Sequence, residues 1–245
     1  MALVHEFENS GNWLFRRRSW LPVLIIIAGI IIMYISNRQG IIFDLRDELI
    51  FLGVSVLGEM IRIFTVGFAP RNTSGRNTVA GQVADELNTT GIYSLVRHPL
   101  YFGNFFMWLG PVLFLRSVGF AIVFALLYWL YYERIMFAEE QYLRRKFGEI
   151  YDKWSEKIPS FIPSFKNYIP SNLGFSIRNV LKREYNSIVN IFLIFIIMDI
   201  FRNYFLSGHI NVTSMWLYLT AGAVIFWAVV RTIHKSTKWL EVEGR

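Results

Sequence analysis

The sequence contains no cysteine among its 245 residues. A disulfide, a thiolate zinc site, an iron–sulfur cluster and a cysteine nucleophile are therefore excluded. Charged residues are also scarce, at 18% of the chain against about 25% in an average soluble domain. Hydrophobic residues make up 54% and aromatic residues 17%. A soluble fold of this size would have too little polar surface to cover its exterior, so the composition predicts an integral membrane protein.

The chain is basic, with a formal net charge of +7. In a soluble protein such an excess would point to nucleic acid, but no nucleic-acid-binding motif is present. In a membrane protein the same excess is expected from Lys and Arg at the cytoplasmic ends of helices, where they also meet anionic lipids. We therefore expect membrane lipids, and not nucleic acid, as partners.

Six apolar stretches are long enough, or nearly so, to cross a bilayer, which requires about 20 residues in a helix. They cover residues 20–36, 49–69, 101–115, 118–132, 188–206 and 215–231. Only Arg116 and Ser117 separate the third stretch from the fourth, which predicts a tight helical hairpin over 101–132. The first stretch follows three arginines but lacks a small-residue cleavage site, so we expect a retained helix and not a signal peptide. The predicted fold class is an all-α, polytopic transmembrane protein with about six spans.

Basic residues are distributed unequally around these six stretches. With a cytoplasmic N-terminus, the opposite side would hold only four arginines, Arg38, Arg46, Arg116 and Arg202. The positive-inside rule then predicts that both termini are cytoplasmic, and that the polar segments 70–98 and 133–187 share that face. The predicted location is the bacterial inner membrane, with the endoplasmic reticulum as the alternative.

One charge pair lies inside a predicted span. Glu59 and Arg62 are three residues apart and therefore share a helix face. Charges at membrane depth usually face protein or a water-filled cavity. The pair has two interpretations, a structural link between helices or a contact to substrate, and the sequence slightly favours the structural link.

The first polar segment runs into the hairpin through a motif of unusual composition, GIYSLVRHPLYFG, residues 91–103. Pro99 biases His98 away from helical geometry and can occupy the first turn of the next helix. The free N–H groups of that turn suit an anionic group such as a carboxylate, and Arg97 adds a bidentate donor. These features predict an anion-binding point where the chain enters the membrane.

Aromatic and acidic residues complete this candidate site. Tyr93 and Tyr101 supply rings and hydroxyls, and Glu139 and Glu140, near the end of a long helix, supply carboxylates. Each residue alone has an ordinary interpretation, as a snorkelling arginine, an aromatic-belt tyrosine or a solvated helix end. Their joint occurrence at the two ends of one hairpin favours a site for a ligand that carries a carboxylate, an amine, a sugar and an aromatic base.

Three segments together resemble a known family. They are GIYSLVRHPLYFG, then EEQYLRRKFGEIYDKW, then IPSFIP, and the resemblance covers about residues 76–165. They resemble the integral-membrane methyltransferase superfamily, which includes the isoprenylcysteine carboxyl methyltransferases and the phospholipid N-methyltransferases. The resemblance implies a cytoplasmic pocket for S-adenosylmethionine and a lipophilic acceptor that enters from the bilayer.

The resemblance also implies which residues bind the cofactor, and it implies no metal. The segment before Gly91 should line the adenosine end through Leu87 and Asn88, with Gln82 as a weaker candidate. The remaining implied cofactor contacts come from the motif and the first glutamate: Tyr93, Arg97, His98, Pro99, Leu100, Tyr101 and Glu139. If the acceptor must lose a proton, His98 and Glu140 are the candidate bases.

The candidate substrate contact is Arg134. The isoprenylcysteine enzymes place an arginine one helical turn before the first glutamate, where this chain has Ile135, with Arg134 one residue out of register. A shift of one residue rotates a helical side chain by about 100°. This departure weighs against a prenylcysteine carboxylate as the acceptor and leaves a lipid head group, a lipid phosphate or a small hydrophobic molecule as alternatives.

The predicted organisation has three parts: a two-span region over 1–69, a methyltransferase-like core over 70–187, and a second two-span region over 188–245. Two other functions remain open at this point. One is an NADPH-dependent isoprenoid or sterol reductase, a class that resembles this chain in its Arg/His-Pro-x-Tyr element. The other is a non-catalytic membrane scaffold or transporter-like protein.

Overall fold

The computed structural model describes residues 2–18, 20–36, 44–71, 73, 76–78 and 81–245, except the side chains of 21, 22, 36, 76–78, 81–83 and 167. The described part is built almost entirely from helices. They are α1 (Leu3–Arg16), α2 (Trp20–Ser36), α3 (Leu45–Gly67), α4 (Pro99–Phe114), α5 (Val118–Phe147), α6 (Glu149–Ser155), α7 (Ile177–Ser207) and α8 (Ser214–Ser236). The predicted all-α class is confirmed, and the short helix α1 was not predicted.

Two strands of three residues interrupt this pattern between α3 and α4. Strand β1 (Arg76–Thr78) pairs antiparallel with β2 (Gly81–Val83), with Asn77 opposite Gln82. Two 3₁₀ turns, Gly91–Ser94 and Phe165–Asn167, lie in the loops that precede α4 and α7. These loops carry the motifs singled out above.

Local sequence signals explain where several helices begin and end. The side chains of Asp44, Ser117 and Ser176 accept hydrogen bonds from backbone N–H groups in the first turns of α3, α5 and α7. Gly148 adopts a φ of 53° between α5 and α6, and Gly208 adopts a φ of 73° after α7. These left-handed conformations cost glycine little, so the chain can turn sharply at both points.

Four described helices, α3, α5, α7 and α8, are long and apolar enough to cross a membrane. The protein is accordingly a polytopic helical membrane protein. Helices also occupy the other two predicted spans, but α2 has 17 residues and α4 has 16. The count of six spans therefore stays a prediction. Arg38, used in the charge argument, lies outside the described residues.

The helices pack mainly in pairs, α3 with α4, α1 with α5 and α7 with α8, and α7 also packs against α3. The α3–α4 pair is especially close, because glycines face backbone there. A Cβ added to Gly58 would clash with the carbonyl oxygen of Gly103, and one added to Gly110 would clash with Ser55. Small residues allow this backbone approach between membrane helices.

The proposed three-part division stays a prediction, and the structure adds two observations to it. Helix α7 runs without interruption through the expected boundary at 187/188. The C-terminal residues return to the end of α3, where the backbone N–H of Arg71 donates to the carbonyl of Gly244 at 2.8 Å. The first and last parts are thus packed directly against the core.

Candidate functional site

The loop after α6 pairs with the backbone that leads into α4, which brings the predicted motifs together. The N–H of Arg97 donates to the carbonyl of Pro159 at 2.9 Å, and the N–H of His98 donates to that of Ser160 at 3.2 Å. His98 is then the N-cap of α4, and Pro99 occupies the first turn, as the sequence predicted. The side chains of residues 97, 98 and 101 are thereby fixed beside the end of α5.

Glu140 holds the two basic side chains of the motif. Its Oε1 atom lies 2.9 Å from Nε of Arg97 and 3.0 Å from Nε2 of His98. Arg97 also donates through Nη1 to the carbonyls of Ser155 at 2.5 Å and Ile158 at 2.8 Å. Because charge-assisted hydrogen bonds are the strong ones in proteins, this arrangement fixes the guanidinium and the imidazole in place.

Glu139 makes a different set of contacts. Its Oε2 atom accepts a hydrogen bond from the Tyr101 hydroxyl at 3.0 Å and lies 3.6 Å from Nδ1 of His98. The Tyr128 hydroxyl donates to the carbonyl of Tyr101 at 2.7 Å and supports this part of α4. Glu139 is buried, whereas Glu140 is partly exposed. The two adjacent carboxylates thus face different surroundings, as expected on a helix.

His98 lies between these two carboxylates and is buried. Burial alone would lower the pKa of His98, but its hydrogen bonds to Glu139 and Glu140 outweigh that effect and raise the pKa to about 9. The imidazole is therefore a cation at neutral pH. A protonated imidazole can hold a carboxylate but cannot accept a proton from a substrate.

Three neighbouring cavities surround these residues. The central cavity has a volume of about 330 Å³. Its lining includes seven of the predicted residues together with other side chains from α3, α4, α5 and α7 and from the segment between α1 and α2. The lining residues are Arg18, Arg62, Val66, Tyr93, Arg97, His98, Pro99, Leu100, Tyr101, Asn104, Tyr132, Glu139, Arg183 and Glu184.

A small cavity of about 10 Å³ adjoins the central one and shares Tyr93, Arg97, His98 and Glu139 with it. Its other lining residues come from the segment before the motif and from α5 and α6: Glu86, Leu87, Asn88, Leu143, Tyr151 and Trp154. The predicted contacts Leu87 and Asn88 are thus placed next to the motif.

Two buried donors of the small cavity are not satisfied by the residues that the structure describes. The Trp154 indole N–H makes no hydrogen bond to them, and the Tyr151 hydroxyl faces Glu140 without reaching hydrogen-bond geometry. Buried polar groups are normally satisfied, so such donors beside a cavity indicate a bound group with acceptor atoms. Acceptors on a sugar or a purine, next to the aromatic ring of Tyr93 and the carboxylate of Glu86, would meet this requirement. The residues present therefore match S-adenosylmethionine in chemical type, and because about 10 Å³ is the room of a single water, the lining would have to open to admit it.

The deep cavity, of about 190 Å³, extends from the central cavity between α4, α5 and α7. It shares Arg18, Asn104 and Tyr132 with the central cavity. Its remaining lining residues are Met107, Trp108, Ser187, Asn190, Ile191 and Ile194. A fourth cavity, of about 450 Å³, lies beside the C-terminal residues; it shares Arg183 with the central cavity but contains none of the motif residues.

Arg62 combines the two interpretations that the sequence left open. It donates to Glu184 of α7 through Nε at 3.1 Å and Nη2 at 2.7 Å, and to Asn104 of α4 at 2.6 Å. Its distance to Glu59 is 3.9 Å. Arg62 therefore links three helices and at the same time lines the central cavity.

One predicted residue, Arg134, is not brought to the site, and the side chain of another, Gln82, is not described. Arg134 lies over the ring of Phe7 in α1, with its guanidinium carbon 3.3 Å from the ring centroid, and it lines none of the cavities above. The neighbouring Ile135 is fully buried in the core, so the register difference seen in the sequence turns Arg134 towards α1. The backbone of Gln82 lies in β2, but its side chain lies outside the described part.

Several lining residues were missed by sequence reasoning. Arg18, Asn104, Tyr132, Arg183 and Glu184 come from separate places along the chain. Asn104 and Tyr132 had a readable signal, since each is a polar group within an apolar stretch. Arg183 and Glu184 lie in a charged segment where many residues look alike, so no comparable signal marked them.

Comparison with known proteins gives a consistent result. Residues 49–150 match the phospholipid methyltransferase family. The chain is 41% identical to a protein-S-isoprenylcysteine O-methyltransferase of Schizosaccharomyces pombe over 78 residues. This stretch covers 31% of this chain and 33% of that protein. Over 114 residues it is 33% identical to protein-S-isoprenylcysteine O-methyltransferase B of Arabidopsis thaliana, covering 46% and 57%.

A third relative has a different description. The nickel-cobalt-cadmium resistance protein NccN of Alcaligenes xylosoxydans xylosoxydans is 36% identical over 85 residues, which cover 35% of this chain and 39% of that protein. The matches thus span between a third and somewhat over half of the length of these relatives. No solved structure matches the chain at a significant level.

The matched region contains the motif, the hairpin α4–α5 and both glutamates, which are the parts that carried the resemblance. Helices α1, α2, α7 and α8 lie outside it. The similarity to the membrane methyltransferases thus rests on residues 49–150, which are less than half of the chain.

Proposed function

We propose that the protein is a membrane-embedded methyltransferase that uses S-adenosylmethionine and a lipophilic acceptor. The observation that carries this proposal is the sharing of Arg97, His98 and Glu139 by two adjoining cavities. The small cavity offers unpaired donors to a polar cofactor, and the central cavity continues into the membrane-depth deep cavity. Two chambers that meet at one set of side chains suit a transfer between two different molecules.

In this proposal the cofactor is held by the residues of the small cavity and the motif. Tyr151 and Trp154 would donate to its acceptor atoms, Asn88 and Glu86 would contact its polar end, and Tyr93 would pack against it. When bound, S-adenosylmethionine supplies an electrophilic methyl group on a sulfonium. Glu139, which borders both cavities, places a negative charge near the region where that cation would lie.

The protein's contribution to the transfer is positioning and exclusion of water. Holding two reactants in a near-attack geometry can lower a barrier by about 7–11 kcal/mol. The ion pairs of Arg97 and His98 with Glu140 keep the start of α4 rigid for this purpose. An acceptor that carries a proton on its reacting atom also requires a base. Glu139 and Glu184 are the carboxylates that border the central cavity, and Glu184 is held by Arg62. Glu139 is therefore the candidate base, since the pKa of His98 is raised to about 9 and Glu140 is held by Arg97.

Ligand binding tests the proposed function directly. Purified protein in detergent is titrated calorimetrically with S-adenosylmethionine, with its demethylated product and with NADPH. We expect binding of the first two and none of NADPH. Binding of NADPH alone would overturn the methyltransferase and favour the reductase, and binding of none of the three would favour a scaffold. The family match does not favour either alternative.

We also propose that the site faces the cytoplasm, on the strength of the charge asymmetry. Because the chain has no cysteine, single cysteines can be introduced for labelling with a membrane-impermeant reagent. Gly208→Cys should be labelled from outside intact cells and Ser160→Cys only after the membrane is opened. The reverse pattern would overturn the orientation without affecting the proposed chemistry.

A further inference from the structure

Helix α7 presents a polar stripe to the cavities, although it lies outside the region that matches the family. Arg183 and Glu184 line the central cavity, and Ser187, Asn190, Ile191 and Ile194 line the deep cavity. Positions three or four residues apart share a helix face, so these side chains form one continuous row. The row changes from charged to polar to apolar along the helix.

Asn190 is the unusual member of this row. Its side chain is exposed, it borders the deep cavity, and it makes no hydrogen bond to any residue within the described ranges. It lies inside the predicted span, where hydrocarbon cannot satisfy an amide and each unsatisfied group costs several kcal/mol. Polar side chains in such places typically mark the path of a substrate.

On the opposite wall of the deep cavity, the side chains likewise change from polar to apolar with depth. Asn104 of α4 lies at the junction with the central cavity, and Met107 and Trp108 follow it one turn deeper. Six residues separate Glu184 from Asn190, which corresponds to about 9 Å along the helix. The cavity therefore offers charged groups at one end, an uncharged amide about 9 Å deeper, and apolar side chains around that amide.

We propose that Asn190 forms an acceptor-binding subsite that recognises an uncharged hydrogen-bonding group, such as an ester, amide or hydroxyl, on the acceptor's chain. This inference rests on the proposed function and adds a specificity element to it. A bare hydrocarbon or isoprenoid chain would leave the Asn190 amide unpaired, whereas a chain with such a group satisfies it. The preferred acceptor is thus an amphiphile with two polar points, one at the reacting end and one within its chain.

Two matched ligands test this subsite. The central cavity is lined by four arginines and two glutamates, so both ligands carry a carboxylate. One is palmitate, and the other is palmitate with a hydroxyl at mid-chain. Both are titrated into the protein in nanodiscs, in the presence of the demethylated cofactor. We expect the hydroxylated ligand to bind about three- to tenfold more tightly, which is the effect of one net hydrogen bond.

Variants of α7 locate the effect. Asn190→Leu should abolish the preference for the hydroxylated ligand, because the leucine side chain has no group that can pair with the hydroxyl. Asn186→Leu is the matched control, because Asn186 lies one turn earlier, lines none of the cavities described above and accepts instead from Trp227 of α8 at 2.8 Å. That variant should keep the full preference.

Three outcomes would overturn the subsite: no binding of either ligand, equal binding of both, or a preference that persists in Asn190→Leu. If the demethylated cofactor still binds in those cases, the proposed function stands and only the subsite fails. If the cofactor itself does not bind to the wild-type protein, the proposed function fails as well. The two failures are therefore distinguishable within one set of titrations.

Discussion

Two arginines at opposite ends of the α3–α7 pair, the buried Arg202 and the partly exposed Arg62, share a pattern of ion pairs but differ in what surrounds them. Arg202 binds Glu48 of α3 and Asp199 of α7, and Trp216 donates to the same Glu48 at 2.7 Å. Arg202 lines none of the cavities described above. Arg62, near the other end of α3, binds Glu184 and Asn104 and lines the central cavity.

The comparison shows that a charge at membrane depth is not by itself a sign of a functional site. In the Arg202 cluster, Asp199 also accepts from the N–H and the hydroxyl of Thr213, at 2.7 and 2.8 Å. Its charges are thus enclosed by protein, which is the arrangement of a structural link. The Arg62 cluster leaves one side open to a cavity, and this open side is what points to a ligand.

The largest expected effect is a loss of stability when the Arg202 cluster is broken. Arg202→Met leaves Glu48 and Asp199 as buried, uncompensated carboxylates, which should lower the free energy of unfolding by about 3–5 kcal/mol. Arg62→Met should cost less stability, because Arg62 is partly exposed to the central cavity and water can enter the space that its guanidinium leaves beside the buried Glu184. Denaturant unfolding in detergent measures both losses.

Cofactor titration of the same two variants completes this test. The Arg202→Met protein that remains folded should bind the cofactor normally, because the substituted side chain is remote from the small cavity. An equal loss of stability in both variants, or a specific loss of cofactor binding in Arg202→Met, would contradict the distinction between the clusters.

A smaller effect separates the two glutamates of α5. Glu139→Ala should weaken cofactor binding by roughly ten- to hundredfold, since a charge-assisted hydrogen bond contributes about 1.5–3 kcal/mol. Glu140→Ala should weaken it clearly less, because Glu140 lines neither cavity and acts through Arg97 and His98. Calorimetry gives both dissociation constants, with thermal melting as the check on folding. A larger loss in Glu140→Ala would show that the wrong carboxylate has been assigned to the cofactor.

The remaining prediction is a pH dependence of stability. The pKa of His98 is raised from 6.5 in the unfolded chain to about 9 in the folded protein. Protonated His98 therefore stabilises the fold fully below about pH 6.5, and this contribution is lost as the pH rises through about 9. Melting temperatures should fall between pH 7 and 9.5, and His98→Gln should remove most of that slope. An identical slope in the variant would assign the titration to another group.

The sequence predicted a helix at each of the six apolar stretches, because long apolar runs have few alternatives in a membrane. The predicted bounds were least accurate where a helix continues beyond its apolar residues. Helix α7 begins at Ile177, eleven residues before the predicted 188, because its first turns are polar and their helical character depends on packing against α3. Helix α1 was missed for a related reason, since it is short and mostly polar and buries only Gly11 and Phe15.

The residues of the candidate site fall into two groups as well, those marked by a local motif and those brought together only by the packing of distant helices. Arg97, His98 and Glu139 could be found because each lies in a dense local motif. The partnership of Arg62 with Glu184 joins residues 122 positions apart, and no local pattern reports which helices become neighbours. The orientation of Arg134 towards Phe7 likewise depended on α1, an element that the sequence did not reveal.

The glycine contacts between α3 and α4 have a mechanical consequence. Because Gly58 and Gly110 bring one backbone directly against the other helix, sliding or separation of this pair would remove tight packing over most of its length. The pair therefore behaves as one rigid wall. A bulky molecule that reaches the central cavity from the lipid would then have to pass between α4 and α7, which line the deep cavity, and not between α3 and α4.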